Sequence, residues 1–240
     1  YYKNISLIDT INGENPIGEL IFGNEPYEYE KNKKEYNPDN YHSVQALYYR
    51  STFFWELQFN EIYISTKNEI KYIQGGNKNA ELKIEANYII APREYYTGII
   101  EIFFKKYISD NVCKEKVEKV GSVNFNYISC DKKGFDYKDF PTLTFEHKIL
   151  EQKFNLTGND LFIFDSKTNT FFFLIFGYSF CITWTLGAPF LKKFQFIFNE
   201  EKKEIGYYKL NYTDTDIDMN LNSNIIYIVI ICVLILIIIA

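Results

Sequence analysis

Hydrophobic and polar residues alternate with a period of two along much of this chain. The clearest case is Phe54-Trp55-Glu56-Leu57-Gln58-Phe59, inside a longer alternating stretch, 48–64. Such alternation predicts strands with one packed face and one wet face. Further strand-like runs fall at 123–129, 143–145, 161–164, 171–176, 180–186 and 194–198. Residues 5–23 read as a strand, a turn at Asn12-Gly13-Glu14-Asn15-Pro16, and a second strand, Gly18-Glu19-Leu20-Ile21-Phe22-Gly23. The charged stretch 24–40, with Pro26 and Pro38, reads as a surface connection. Two segments depart from the strand pattern. Pro92 is well placed to open a helix, with Tyr95, Tyr96, Ile99, Ile100, Phe103 and Phe104 at helical spacing. A second, shorter helix is expected at 112–120, where Glu and Lys alternate on a solvated face. Many strands, few helices and Gly, Asn and Asp turns predict an all-β domain.

Composition supports the same class. Aromatic residues make up 19% of the 240, with 22 Phe and 21 Tyr against a single Met; such residues favour strands. The net charge of −5 comes without a basic patch interleaved with aromatics, which argues against nucleic acid as a partner. The last segment, 225–240, is apolar throughout, with no charge and no breaker. As a helix it would rise about 24 Å, slightly short of a hydrocarbon core of about 30 Å. It lacks the polar face of a surface helix, so it reads as a membrane tail. Two versions stay open: a stop-transfer helix, or a glycolipid-anchor signal after the polar spacer 211–224. Absence of an initial Met at Tyr1 fits a fragment or processed form.

Three sequons, at Asn4, Asn155 and Asn211, fit an extracellular or lumenal location beside that tail. Cys113 and Cys130 lie 17 residues apart and could close a loop, which would stabilise by about 3 kcal/mol; two free thiols are the alternative. Cys181 has no obvious partner. His42 and His147 have no Cys or carboxylate at ligand spacing, so neither metal nor cofactor is expected. No Walker loop, G-x-G-x-x-G, G-x-S-x-G or H-E-x-x-H occurs.

Several short motifs recur in a fixed order. They are Gly18-Glu19-Leu20-Ile21-Phe22-Gly23, Trp55-Glu56-Leu57-Gln58-Phe59-Asn60-Glu61-Ile62, the Cys113 and Cys130 pair with Tyr127, and Phe140-Pro141-Thr142-Leu143-Thr144-Phe145. The series closes with Trp184-Thr185-Leu186-Gly187-Ala188-Pro189-Phe190-Leu191 and Ile205-Gly206-Tyr207. In this order they resemble the pepsin-like aspartic peptidases. The resemblance implies the end of a first lobe and its connection at 1–45 and a C-terminal lobe at 46–210, which precede the polar spacer 211–224 and the apolar membrane segment 225–240. It also implies a disulfide between Cys113 and Cys130, and a Leu186-Gly187 strand running under the catalytic turn, where only Gly permits close approach.

The catalytic motif itself departs from the family. Where active members carry two apolar residues, Asp, Thr or Ser, Gly, and Thr or Ser, this chain has Ala80-Glu81-Leu82-Lys83-Ile84-Glu85-Ala86-Asn87, ahead of Ala91-Pro92. Lys83 falls on the aspartate, Ile84 on the hydroxyl residue, Glu85 on the glycine and Ala86 on the second hydroxyl residue. The family mechanism holds a water between two carboxyls that share a proton. A lysine in one position removes the acid–base couple, and the first-lobe aspartate falls outside this sequence. Asp165-Ser166-Lys167-Thr168-Asn169 and Asp9-Thr10 look like substitutes but read as turns. The expectation is therefore a membrane-anchored aspartic-endopeptidase relative of the secretory or endolysosomal system, inactive as the chain stands. A peptide- or protein-binding module and a surface-display role are the alternatives. An active peptidase survives only if the catalytic loops lie in missing or misaligned sequence.

Overall fold

The computed structural model describes residues 37–49, 52–66, 69–73, 78–120, 122–194 and 196–209. The strands expected at 5–23, Asp9-Thr10, the sequons at Asn4 and Asn211, and the segment 225–240 lie outside the described residues. Among the described residues, no helix is long and apolar enough to cross a membrane.

The described chain is mostly β. Its largest sheet has nine strands. Eight of them run in the order Phe162–Asp165, Thr170–Phe173, Val123–Asp131, Ile175–Tyr178, Ile89–Pro92, Trp184–Leu186, Asn79–Leu82, Glu56–Gln58. The ninth, Cys113–Val120, pairs with Val123–Asp131. A four-stranded sheet, in the order Gln152–Leu156, Thr142–His147, Glu61–Ser65, Ile70–Tyr72, lies beside a three-stranded sheet of Tyr41–Gln45, Glu204–Tyr208 and Phe196–Asn199. Tyr48–Tyr49 and Thr52–Phe53 form a small hairpin.

The residues explain the elements. Alternation in Thr142–His147 buries Leu143, Phe145 and His147 on one face. The turn after Phe162–Asp165 is built by Asp165, whose Oδ1 accepts the Lys167 N–H at 3.0 Å and whose Oδ2 accepts the Thr168 hydroxyl at 2.7 Å. Asn169 completes it with a φ of 54°, a left-handed conformation that Asn tolerates. The sequence thus places a hairpin here. A helix of three joined segments, Arg93–Ile99, a π-helical Ile100–Phe104 and Lys105–Ser109, covers one face of the large sheet. It begins one residue after Pro92, which ends the preceding strand.

Aromatic rings fill the core in two groups. Phe59, Phe145, Phe154 and Phe190 pack with Trp184, and the Phe145–Trp184 centroids are 5.0 Å apart. Phe104, Phe135, Phe140, Phe162 and Phe173 meet under the helix, with Phe104–Phe173 at 5.0 Å. Burying each such side chain is worth about 1.5–3 kcal/mol.

Three expectations need correction. The helix expected at 112–120 is the strand Cys113–Val120, which pairs residue by residue with Val123–Cys130. Alternating Glu and Lys has a strand's period of two, and the cross-strand partner decides between the readings. The run 180–186 is a strand only at Trp184–Leu186; Phe180 and Ile182 are exposed in the preceding loop. The alternating 54–59 run forms a strand only at Glu56–Gln58. Two one-turn helices were not anticipated. Gly158–Leu161 is started by a capping box in which Thr157 and Asp160 satisfy each other's backbone, and Ala188–Leu191 begins with Pro189 in its first turn.

Candidate functional site

The strands Asn79–Leu82 and Ile89–Pro92 are joined by the turn 83–88, and Trp184–Leu186 slots between them. It runs parallel to the first and antiparallel to the second. Backbone bonds stitch the crossing: Lys83 N–H donates to Leu186 O at 3.0 Å, and Ala188 N–H to Ala86 O at 2.7 Å. Ala86 N–H closes the turn onto Lys83 O at 3.3 Å. Gly187 passes so close that a Cβ there would sit 2.2 Å from Ala86 O and 2.3 Å from Tyr88 O. Only a residue without Cβ fits this backbone approach. Leu186 and Trp184 are fully buried beneath the crossing.

At the surface of the turn, Lys83 Nζ lies 3.1 Å from Glu81 Oε2, with both side chains partly exposed. Ile84 is partly buried and packs against the core, while Glu85 and Ala86 carry the turn forward. Glu56 stands opposite Glu81 on the neighbouring strand. Burial pushes the Glu56 carboxyl above its usual range and repulsion from Glu81 adds to this, against a hydrogen bond from Asn79.

Register defines a wider face. Phe176, Ile90, Thr185, Glu81 and Glu56 are neighbours across five strands, so they lie in one row on one side of the sheet. Gly177, next to Phe176, faces the opposite side, where Tyr96 of the helix covers it. The row is thus on the side away from the helix. Tyr88 joins it, 5.2 Å from Phe176, and Tyr127 lies 5.9 Å from Phe176 and 6.3 Å from Phe172. All four rings are partly exposed. One face therefore carries aromatic rings at one end and the Glu56, Glu81 and Lys83 charges at the other. Such a surface can hold an extended chain by ring contacts and polar anchoring.

The other residues singled out from sequence fall apart from this face. Cys113 and Cys130 are directly opposed across their strands and form a disulfide. His147 is buried, with Nδ1 accepting the Leu150 N–H at 3.2 Å, and burial holds its pKa below the ordinary value. His42 lies on an outer strand beside Tyr207. Among the described residues, no group of three His, Cys, Asp or Glu side chains could hold a metal ion. Asn155 is exposed on its strand and its Oδ1 accepts the Thr144 hydroxyl at 2.9 Å. Cys181 is a half-buried free thiol near Lys83 and Glu81, and burial raises its pKa. Sequence reasoning missed Glu56, Tyr88, Tyr127, Phe172, Thr185 and Phe176 as one surface. The parity of the strand alternation was the available signal, but it needed the register between distant strands to become a row.

No protein-family profile and no curated protein matches the sequence. Among solved structures the chain is similar to the basic 7S globulin from soybean, with a TM-score of 0.55 and 13% identity over 78% of this chain and 45% of that one. Conglutin gamma, a basic 7S globulin from lupine seeds, aligns with a TM-score of 0.48 and 12% identity over 72% of this chain and 42% of that one. The chain spans less than half the length of either protein. At such identities the likeness concerns fold alone. The described chain is an all-β protein similar in fold to soybean basic 7S globulin, and basic 7S globulins are related to the pepsin-like aspartic peptidase fold.

Proposed function

We propose that this chain is a non-catalytic binding module on an aspartic-peptidase-like scaffold, which holds an extended peptide segment on the aromatic and charged face without cleaving it. The observation that carries this reading is the turn 83–88. Its supporting crossing at Gly187 is intact, yet its surface presents the Lys83–Glu81 ion pair. Hydrolysis by paired carboxyls needs an acid and a base that exchange one proton. An ammonium paired with a carboxylate is not such a couple. The partly exposed rings of Tyr88, Phe176 and Tyr127 beside the turn support binding instead. The apolar segment 225–240 and the sequons support a membrane-attached module facing the lumen or the outside.

Titration calorimetry of the full-length protein with a peptide-like aspartic-peptidase inhibitor tests the reading. Saturable binding that weakens on Tyr88→Ala is the expected result. Absence of binding by folded protein contradicts it and favours a surface-display role.

A further inference from the structure

The opposite face of the large sheet carries a second feature. Between the long helix and the Cys113–Asp131 hairpin lies a cleft of about 390 Å³, within the range of small-ligand sites. Helical spacing sets one wall: Arg93, Tyr96, Thr97, Ile100 and Glu101 follow the i, i+3, i+4, i+7, i+8 pattern of one helical face. Glu115 and Asn126 form the other wall. Both point toward the helix, because Asn126 pairs with Gly177, on which the Tyr96 ring rests, and Glu115 lies two residues along from Val117, the partner of Asn126.

Three observations indicate what this cleft could hold. First, Arg93 is one of only two arginines in a chain that otherwise uses lysine, and among the described residues it has no ion pair or hydrogen bond. A planar guanidinium suits a carboxylate, which it can bind through two parallel hydrogen bonds. Second, Glu115 uses Oε1 to accept the Asn126 amide at 2.8 Å, while no described residue bonds its Oε2. Third, Tyr96 is 4% exposed, and its hydroxyl is buried without a hydrogen-bond partner. Its ring, packed against Gly177, gives the cleft an apolar floor. Glu101 is already held by Lys105 at 2.7 Å.

We propose that this cleft binds a small zwitterion, a free α-amino acid or short unblocked peptide, with its carboxylate on Arg93 and its ammonium on Glu115. A simple cation would share the cleft with Arg93, and a simple anion would share it with Glu115 and Glu101. Only a dipolar ligand matches both walls. Ile100 and Tyr178 supply apolar contact for a side chain. The site is separate from the face proposed above to hold a peptide chain, and its existence does not depend on that reading.

Isothermal titration with glycyl-leucine at neutral pH, alongside N-acetyl-glycyl-leucine and glycyl-leucinamide, tests the assignment. The unblocked dipeptide should bind in the millimolar range or tighter, and each blocked form about tenfold more weakly, the loss expected for one charge-assisted contact. Arg93→Gln and Glu115→Gln should each weaken glycyl-leucine about tenfold. Tyr96→Phe should leave that affinity unchanged and raise the thermal midpoint, because it removes a buried hydroxyl without a partner. Equal binding of blocked and unblocked forms by the native protein overturns the proposal. So does no binding in the millimolar range, or full retention of affinity in folded Arg93→Gln.

Discussion

The crossing beneath the turn 83–88 and the charged surface above it obey different physical rules. Below, Gly187 lies so close to two carbonyl oxygens that no Cβ fits, and Trp184 and Leu186 are wholly buried. Above, Lys83 and Glu81 meet at 3.1 Å but stay partly in water. Close-packed backbone admits few substitutions, whereas a partly solvated ion pair contributes only about 0–1 kcal/mol. The backbone beneath the turn is therefore far less free to vary than the charged surface above it. The Leu186-Gly187 motif reports on packing, and says nothing by itself about catalysis.

Substitutions can break this contrast in order of size. Phe190→Ala, beside the crossing and ringed by Phe145, Phe154 and Phe196, should lower stability by about 4 kcal/mol in urea unfolding. Gly187→Ala should cost about 3 kcal/mol, the upper part of the range for overpacking, because both clashing atoms belong to backbone. A loss of only a few tenths would mean the crossing relaxes easily, and the contrast would fail.

Smaller effects sharpen it. His147 is buried with its pKa held below 6.5, so folding favours the neutral ring. The unfolded chain then binds a proton at a higher pH than the folded one does. Stability from this group is complete above about 6.5 and declines as pH falls from there toward the lower folded value. Chemical-denaturation midpoints taken across mildly acidic pH should show this decline, and His147→Gln should flatten it. At the surface of the turn, Lys83→Met should change stability by no more than about 0.5 kcal/mol. A loss as large as that of Gly187→Ala would make the ion pair part of the scaffold.

Sequence revealed the crossing more readily than the surface around it. The Trp184-Thr185-Leu186-Gly187 run and the Cys113, Cys130 pair were placed through their resemblance to pepsin-like motifs; on the residues alone, the two cysteines could equally have been free thiols. Cys113–Val120 was misread because a Glu/Lys alternation on one exposed segment suits either a helix or a strand until its partner is known. The row from Phe176 to Glu56 was invisible for a related reason. Its five residues are scattered over 56–185, and only the pairing register brings them side by side. The cleft at Arg93 likewise required the helix and the hairpin to be set against each other.

The most direct test is peptide-bond hydrolysis by the full-length protein in a casein assay under mildly acidic conditions. On the proposed non-catalytic reading, no release above the buffer background should appear, and an aspartic-peptidase inhibitor should change nothing. Cleavage that the inhibitor abolishes would contradict the account.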